Sequence, residues 1–172
     1  QFHKHPWSIG GGGAAELKQQ LEGSTPTTLR ALVTAIGRGA HTGEDDAYVM
    51  PRSAIARHGV LSRSVTQFVA GDTVRDWTVE KRDFAIFPYD DDLNAPSDEP
   101  HAGIYRLLWP FREQLWLRVE GNGSHRTIGL TWFEYSRFHP ERFVGMTLAY
   151  AEIATHNHFV FDQGGKVFNR TA

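Results

Sequence analysis

The sequence predicts an α+β domain of mixed, mostly antiparallel strands joined by short helices. Three observations lead there. Short apolar runs such as Val65–Val69 and Phe84–Tyr89 are bounded by Gly, Pro and Asp, as strands are. Strong helix formers gather elsewhere, at residues 14–22 and 103–118. The last 20 residues read as two extended segments around Asp162-Gln-Gly-Gly165, whose glycines supply the positive φ of a hairpin turn. With 172 residues, 40% of them apolar and Phe and Trp plentiful, one domain with a proper core is expected over residues 1–172, including a helical lead at 1–27.

In chain order, an aromatic and His-rich lead runs into Gly10–Gly13, and Ala14–Glu22 forms a helix with Leu17 and Leu21 one turn apart. No Gly-Lys-Ser/Thr follows the glycines, so they read as an entry into a surface helix, not a phosphate loop. Thr28 to Ile36 suits a strand, residues 37–46 a loop, and Ala47–Met50 a returning strand. Pro51 opens a short helix to about Arg57, which Gly59 ends. After the strand Val65–Val69, a helical turn capped by Asp72 is expected through Trp77. Phe84–Tyr89 is a buried strand closed by Pro88, and 90–101 a polar loop. Residues 103–118 form a helix pair or one helix kinked by Pro110. Closing strands occupy Met146–Phe168, with His156 and His158 on one face and Asn157 on the other.

Composition excludes several classes. There is no Cys, hence no disulfide frame, no thiolate zinc site and no Cys nucleophile, which fits a cytoplasmic origin. There is no Gly-x-Ser-x-Gly elbow, no run of about 20 apolar residues to cross a membrane and no signal-peptide core. The chain starts at Gln1 and stops straight after a strand-like run, so it reads as a piece cut from a longer protein. The net charge of −2 argues against a uniformly basic nucleic-acid binder. Residues 1–103 carry −4 and residues 104–172 carry +2, so polyanion contacts belong preferentially to the second half.

Two chemistries compete for the polar residues. His156, His158 and Asp162, with His139, are types that could converge on a metal ion in a hydrolase or nuclease. Surface-bound DNA accounts for more of the polar loops. Its candidate contacts are Arg38, Thr42, Glu44, Asp46, Arg75, Arg106, Arg112, Arg137, Arg142, His156, Asn157, His158 and Lys166, with Trp77 and Arg118 as further parts. Arg and Lys position phosphates and read guanine, Asn157 pairs with adenine, and Glu44 or Asp46 accepts from cytosine. A protein-interaction module is the third reading.

Several linked motifs carry a resemblance. Thr42-Gly-Glu-Asp-Asp46, Gly71-Asp-Thr-Val-Arg-Asp-Trp77, Ile86-Phe-Pro-Tyr-Asp90, Tyr105-Arg-Leu-Leu-Trp-Pro-Phe111, Gly129-Leu-Thr-Trp-Phe-Glu-Tyr135, Ala154-Thr-His-Asn-His-Phe159 and Gly164-Gly-Lys-Val-Phe168 occur in order. Together they resemble a region of large bacterial adenine-specific DNA methyltransferases, the type IIG restriction–modification enzymes and the BREX phage-defence methylases. The resemblance implies the target recognition domain downstream of the catalytic core. Double-stranded DNA is then the ligand, the methyltransferase catalytic domain a partner in cis, and a defence-system or phage protein a further partner. It implies no catalytic residue and no metal in this domain, and S-adenosylmethionine bound elsewhere in the parent. The missing Asn-Pro-Pro-Tyr tetrapeptide and cofactor-binding Gly motif agree with that division.

Overall fold

The computed structural model describes residues 13–121, 123–156 and 158–172, which fall into two units, 1–36 and 37–172. In the first, helix α1 (Ala14–Ser24) is exposed along its length, with Leu17 and Leu21 both facing solvent. Most of the aromatic-His lead and glycine run precedes the described residues. The strand expected over 28–36 is instead a helical turn, α2 (Leu29–Leu32). Leu-Arg-Ala-Leu are all good helix formers, and no strand among the described residues of this unit could pair with an extended segment.

The second unit begins with β1 (Ala40–His41), α3 (Asp45–Tyr48), β2 (Val49–Met50) and α4 (Arg52–Arg57). The strand expected at 47–50 is halved, because Asp45 and Asp46 favour the start of a helical turn and Tyr48 must swing into the core. Next come β3 (Val65–Val69), β4 (Val74–Arg75), β5 (Thr78–Val79) and β6 (Phe84–Ile86). Helices α5 (Ala102–Leu108) and α6 (Arg112–Leu117) are separated by a 3-10 turn, Trp109–Phe111, where Pro110 breaks the α ladder as expected. The remaining elements are β7 (Val119–Glu120), β8 (Gly123–Ser124), β9 (Arg137–Phe138), α7 (Pro140–Phe143), β10 (Val144–Tyr150), β11 (Phe159–Gly164) and β12 (Val167–Phe168). The main sheet has the order β12-β3-β6-β2, and only its β12–β3 pair is parallel; the other pairs form two-stranded antiparallel ribbons. The class is α+β.

Two local expectations give way to long-range pairing. Residues 71–77 are a 3-10 turn, Gly71–Thr73, followed by the β4–β5 hairpin. Val74 and Val79 are β-branched cross-strand partners, and Val74 is fully buried with Val69 and Val160, which outweighs a helical turn. Asp72 does not cap that turn; its carboxylate accepts from Arg82 at 2.7 Å. The hairpin tip, Asp76-Trp77, has φ of 44° and 70°, the left-handed geometry of a two-residue turn but without glycine. At the C-terminus, β11 turns back onto β10, with Tyr150 opposite Phe159 and Leu148 opposite Phe161. Gly164 and Gly165, both at positive φ, then hand the chain to the main sheet, where β12 joins β3. The predicted pairing of residues 153–161 with 166–168 is therefore not formed, and residues 152–156 are not strand, so the expected alternation of His156 and His158 against Asn157 does not apply. Asn157 lies outside the described residues.

One buried cation ties the loops of this unit to its core. Arg118, 7% exposed, follows α6 and donates to the carbonyls of Leu115 (3.0 Å), Thr42, Trp132 (2.9 Å) and Glu134 (2.8 Å). Its guanidinium lies 5.4 Å from the Tyr48 ring centre, and the Tyr48 hydroxyl donates to Phe133 O at 3.0 Å. Burial pulls the Arg118 pKa down, with Tyr48 opposing the shift. Fully buried His125 stands beside it: Nδ1 is 3.3 Å from Arg118 Nη2, and Nε2 is 3.1 Å from Ser136 Oγ. Both Nη2 hydrogens of Arg118 already go to the Trp132 and Glu134 carbonyls, and Nδ1 also lies 3.3 Å from Thr131 O, which only accepts, so Nδ1–H donates to Thr131 and Nε2 accepts from the Ser136 hydroxyl. Around this clamp Tyr135 is fastened at both ends, its N–H donating to Tyr89 Oη (3.0 Å) and its own hydroxyl to Ile86 O (2.5 Å).

Three outcomes follow for stability. Arg118→Met leaves buried carbonyls without their donor and destabilises by about 3–5 kcal/mol in urea melts, with Arg118→Lys recovering less than half, since a single ammonium cannot span the four acceptors. Trp77 is 78% exposed, so Trp77→Gly removes left-handed strain at little loss of packing and raises stability by about 1 kcal/mol. Burial first, then the Arg118 charge, lowers the His125 pKa, so the unfolded chain takes up this proton before the folded chain does. Its contribution is complete above pH 6.5 and falls on acidification toward the folded pKa, by at most about 1.4 kcal/mol per pH unit. Comparing melts at pH 7.5 and 5.5, His125→Gln flattens this dependence; an unchanged slope would assign it to other groups.

Candidate nucleic-acid interface

The β1–β9 ribbon is the element that gathers polar candidates. It pairs Ala40 with Phe138 and His41 with Arg137, 96 residues apart along the chain. Ala40 is buried, and Phe138 stacks on Tyr89 with ring centres 4.1 Å apart, so these two anchor the ribbon to the core. His41 and Arg137 are left at the outer side. Arg38 enters the ribbon and is exposed. Arg142, on α7, reaches back toward it: a Cβ placed on Gly37 would lie 3.3 Å from its Nη1, and one on Gly39 would lie 2.9 Å from its carbonyl oxygen. Glycine at position 39 thus lets the two segments touch. Three arginines from separate stretches come to one locality.

Beside the ribbon opens a cleft of about 530 Å³, lined by His41, Gly43, Glu44, Gln114, Leu117, Arg118, Val119, Glu120 and Ser136. Its floor depends on Gly43, at φ 77°, where a Cβ would fall 1.9 Å from Ser136 Oγ. Glu120 is held by an ion pair with Arg137. The His41 pKa is lowered, first by partial burial and then by the Arg38 charge, with Asp45 and Glu120 opposing, so its imidazole is neutral at pH 7. His41, Gln114 and Glu120 carry no motif in the sequence. Only the pairing of His41 with Arg137 reveals them, and that register has no local signal.

Of the candidates, Arg38, Glu44, Arg137 and Arg142 meet here. Thr42 belongs to the same loop but is 1% exposed; its hydroxyl donates to Asp45 and accepts from Glu44 N–H at 3.2 Å, so it faces inward. Asp46 is exposed on α3. Arg106 and Arg112 lie on α5 and α6: Arg106 donates to His58 O (3.3 Å), and the Arg112 guanidinium sits 5.0 Å from the Trp109 ring centre. Arg118, grouped with them on sequence, is the buried clamp and does not face solvent. A third set lies at the β4–β5 and β10–β11 ribbons. There Arg75 is turned onto its own hairpin, donating to Gly71 O (3.0 Å) and Val74 O (2.7 Å). Asp76 N–H donates to His158 Nδ1 at 3.3 Å, and His156 is exposed. Lys166 donates to both carboxylate oxygens of Asp162, at 2.7 and 2.6 Å, and that carboxylate also accepts from Gly164 N–H. Lys166 therefore secures the turn between sheets and is not a free phosphate contact.

With Asp162 committed to Lys166, the metal reading loses a ligand. Among the described residues no three His, Asp or Glu side chains are gathered as an ion would need. Nor is any helix among them long and apolar enough to cross a membrane.

No protein-family model matches the sequence. The chain is 33% identical over 175 residues to the adenine-specific methyltransferase PglX of Streptomyces coelicolor, an alignment that covers 99% of this chain. It spans 14% of that relative, about a seventh of its length. From end to end, then, the chain is similar to one segment of an adenine-specific methyltransferase.

Proposed function

We propose that the chain is the DNA target recognition module of an adenine-specific methyltransferase acting in restriction or phage defence in the bacterial cytoplasm. Methyl transfer from S-adenosylmethionine, and the extrusion of the adenine that it requires, belong to a catalytic region of the same polypeptide. Neither the Asn-Pro-Pro-Tyr tetrapeptide nor a cofactor-binding Gly motif is present here, so no step of that chemistry is assigned to these residues. The similarity to a methyltransferase segment supports the setting. The observation that carries the DNA reading is the meeting of Arg38, Arg137 and Arg142 around one ribbon edge, beside an open polar cleft. Arginines in such an array hold phosphates and fix orientation, while the neighbouring cleft is left to meet base edges.

Fluorescence anisotropy with a labelled 30-base-pair duplex at rising salt tests this. The logarithm of affinity falls linearly with the logarithm of salt concentration, with a slope of about −1.8 for the two phosphate contacts of Arg38 and Arg142, Arg137 being paired with Glu120. Arg38→Ala together with Arg142→Ala removes most of that slope and weakens all sequences alike. A chain that binds no duplex even at low salt would instead favour the protein-interaction reading.

A further inference from the structure

We infer that the cleft beside the β1–β9 ribbon receives the amino-bearing edge of a base, adenine or cytosine, with Glu44 and Gln114 as the groups that read it. This rests on the DNA reading and narrows it to one base class at one site. Among the described residues, the side chains of His41, Glu44 and Gln114 make no hydrogen bond within the chain, although all three line the cleft. They reach it from three elements: β1, the residue that opens α3, and α6. Glu120 shares the lining but is already neutralised by Arg137. Arg118 also borders it, with four of its five N–H groups spent on carbonyls. Its unpartnered acceptors are the Glu44 carboxylate, the Gln114 amide oxygen and one bare nitrogen of neutral His41; its donors are the Gln114 amide N–H groups and the other His41 nitrogen, and the carboxylate is the one charge among these three side chains.

That balance selects among bases. Adenine offers its N6 amine and cytosine its N4 amine to the major groove, both donors; guanine and thymine offer O6 and O4 there, which a carboxylate repels. Gln114 adds a donor beside its acceptor, the pairing that suits adenine N6 and N7. Leu117 and Val119, both largely exposed, flank the opening with apolar surface. Phosphate is excluded from the cleft by Glu44 and held outside it by the arginines. The ribbon thus separates the two contacts of a DNA reader over one short distance.

The test selects duplexes randomised over eight positions with the purified chain, then remakes the preferred duplex with single amino groups deleted. Wild-type chain restricts one position to adenine or cytosine, and purine for adenine or 2-pyrimidinone for cytosine there weakens binding roughly tenfold, the scale of one good base contact. The enriched base tells the two amines apart. Glu44→Ala combined with Gln114→Ala loses the restriction and no longer senses the deleted amine, while its thermal melt is unchanged. Glu44→Gln, which keeps one acceptor oxygen, retains a weakened preference. If the double variant keeps both the restriction and the response, the cleft is not the reader, and DNA recognition still stands. If Glu44 instead governs a guanine or thymine position, the assigned chemistry is wrong. Absence of binding to any duplex at low salt removes this inference and the DNA reading together.

Discussion

The Arg118 guanidinium is the constraint on which the second unit depends. Its partners are carbonyls of four residues, Thr42, Leu115, Trp132 and Glu134, drawn from three stretches of chain that share no regular ladder. The segment from Thr127 to Ser136 contains no strand or α-helix, so its backbone acceptors have no local donors to satisfy them. A charged donor with five N–H groups in a rigid plane does what a strand would otherwise do. The cost of burying the charge is offset by four charge-assisted hydrogen bonds and by the face of Tyr48. Consequently Phe133, Tyr135 and Trp132 are delivered to the core with little regular structure around them.

The same clamp builds the candidate site. Fixing the Thr42 carbonyl fixes the 41–44 loop, and Gly43 closes that loop against Ser136, which His125 holds from the other side. The cleft thus has a wall that cannot move without disturbing a buried cation and a buried imidazole. Preorganisation of this kind is what a recognition surface needs, because side chains placed before the encounter lose less entropy on binding. Lys166 and Arg75, by contrast, spend their charges inside their own turns. Both were credible phosphate contacts on residue type alone. What separates them from Arg38 is commitment to an internal partner that is visible only in three dimensions; Arg142 has only a loose pair at 3.8 Å with exposed Glu141.

Much of the fold was legible where local chemistry and burial agree. Val65–Val69 is a strand both by propensity and because its apolar residues reach the core; Arg52–Arg57 is a helix bracketed by Pro51 and Gly59; Pro110 interrupts the helical stretch as its missing N–H requires. Legibility failed where a partner far along the chain decides. Gly164-Gly165 was recognised as a turn, yet whether β12 returns to β11 or crosses to β3 depends on the burial of Val167 beside Phe68. Asp72 looked like a cap until Val74 and Val79 paired. Arg118 looked like one of three surface arginines because its acceptors are backbone oxygens, which every residue carries and no motif marks. In the candidate site, Arg38, Glu44, Arg137 and Arg142 could be proposed as residue types, whereas their meeting place, and the presence of His41 and Gln114 within it, required the β1–β9 register.

The mild net charge of −2 is compatible with a DNA-reading surface once the acids are followed to their positions. Glu44, Asp45 and Asp46 are adjacent in sequence, and as a block they would repel phosphate. The fold disperses them. Asp45 accepts from Thr42, Asp46 stands exposed in the first turn of α3, where its charge suits the helix start, and only Glu44 lines the cleft. Glu120 is likewise removed from the balance by Arg137. The field near the ribbon is then set by Arg38 and by Arg142 with its neighbour Glu141 at 3.8 Å, and the Glu44 carboxylate is recessed beside them. On the proposed reading this arrangement is more discriminating than a uniformly basic face. Uniform charge binds any sequence, whereas a recessed carboxylate among arginines admits phosphates outside and rejects carbonyl-bearing base edges within.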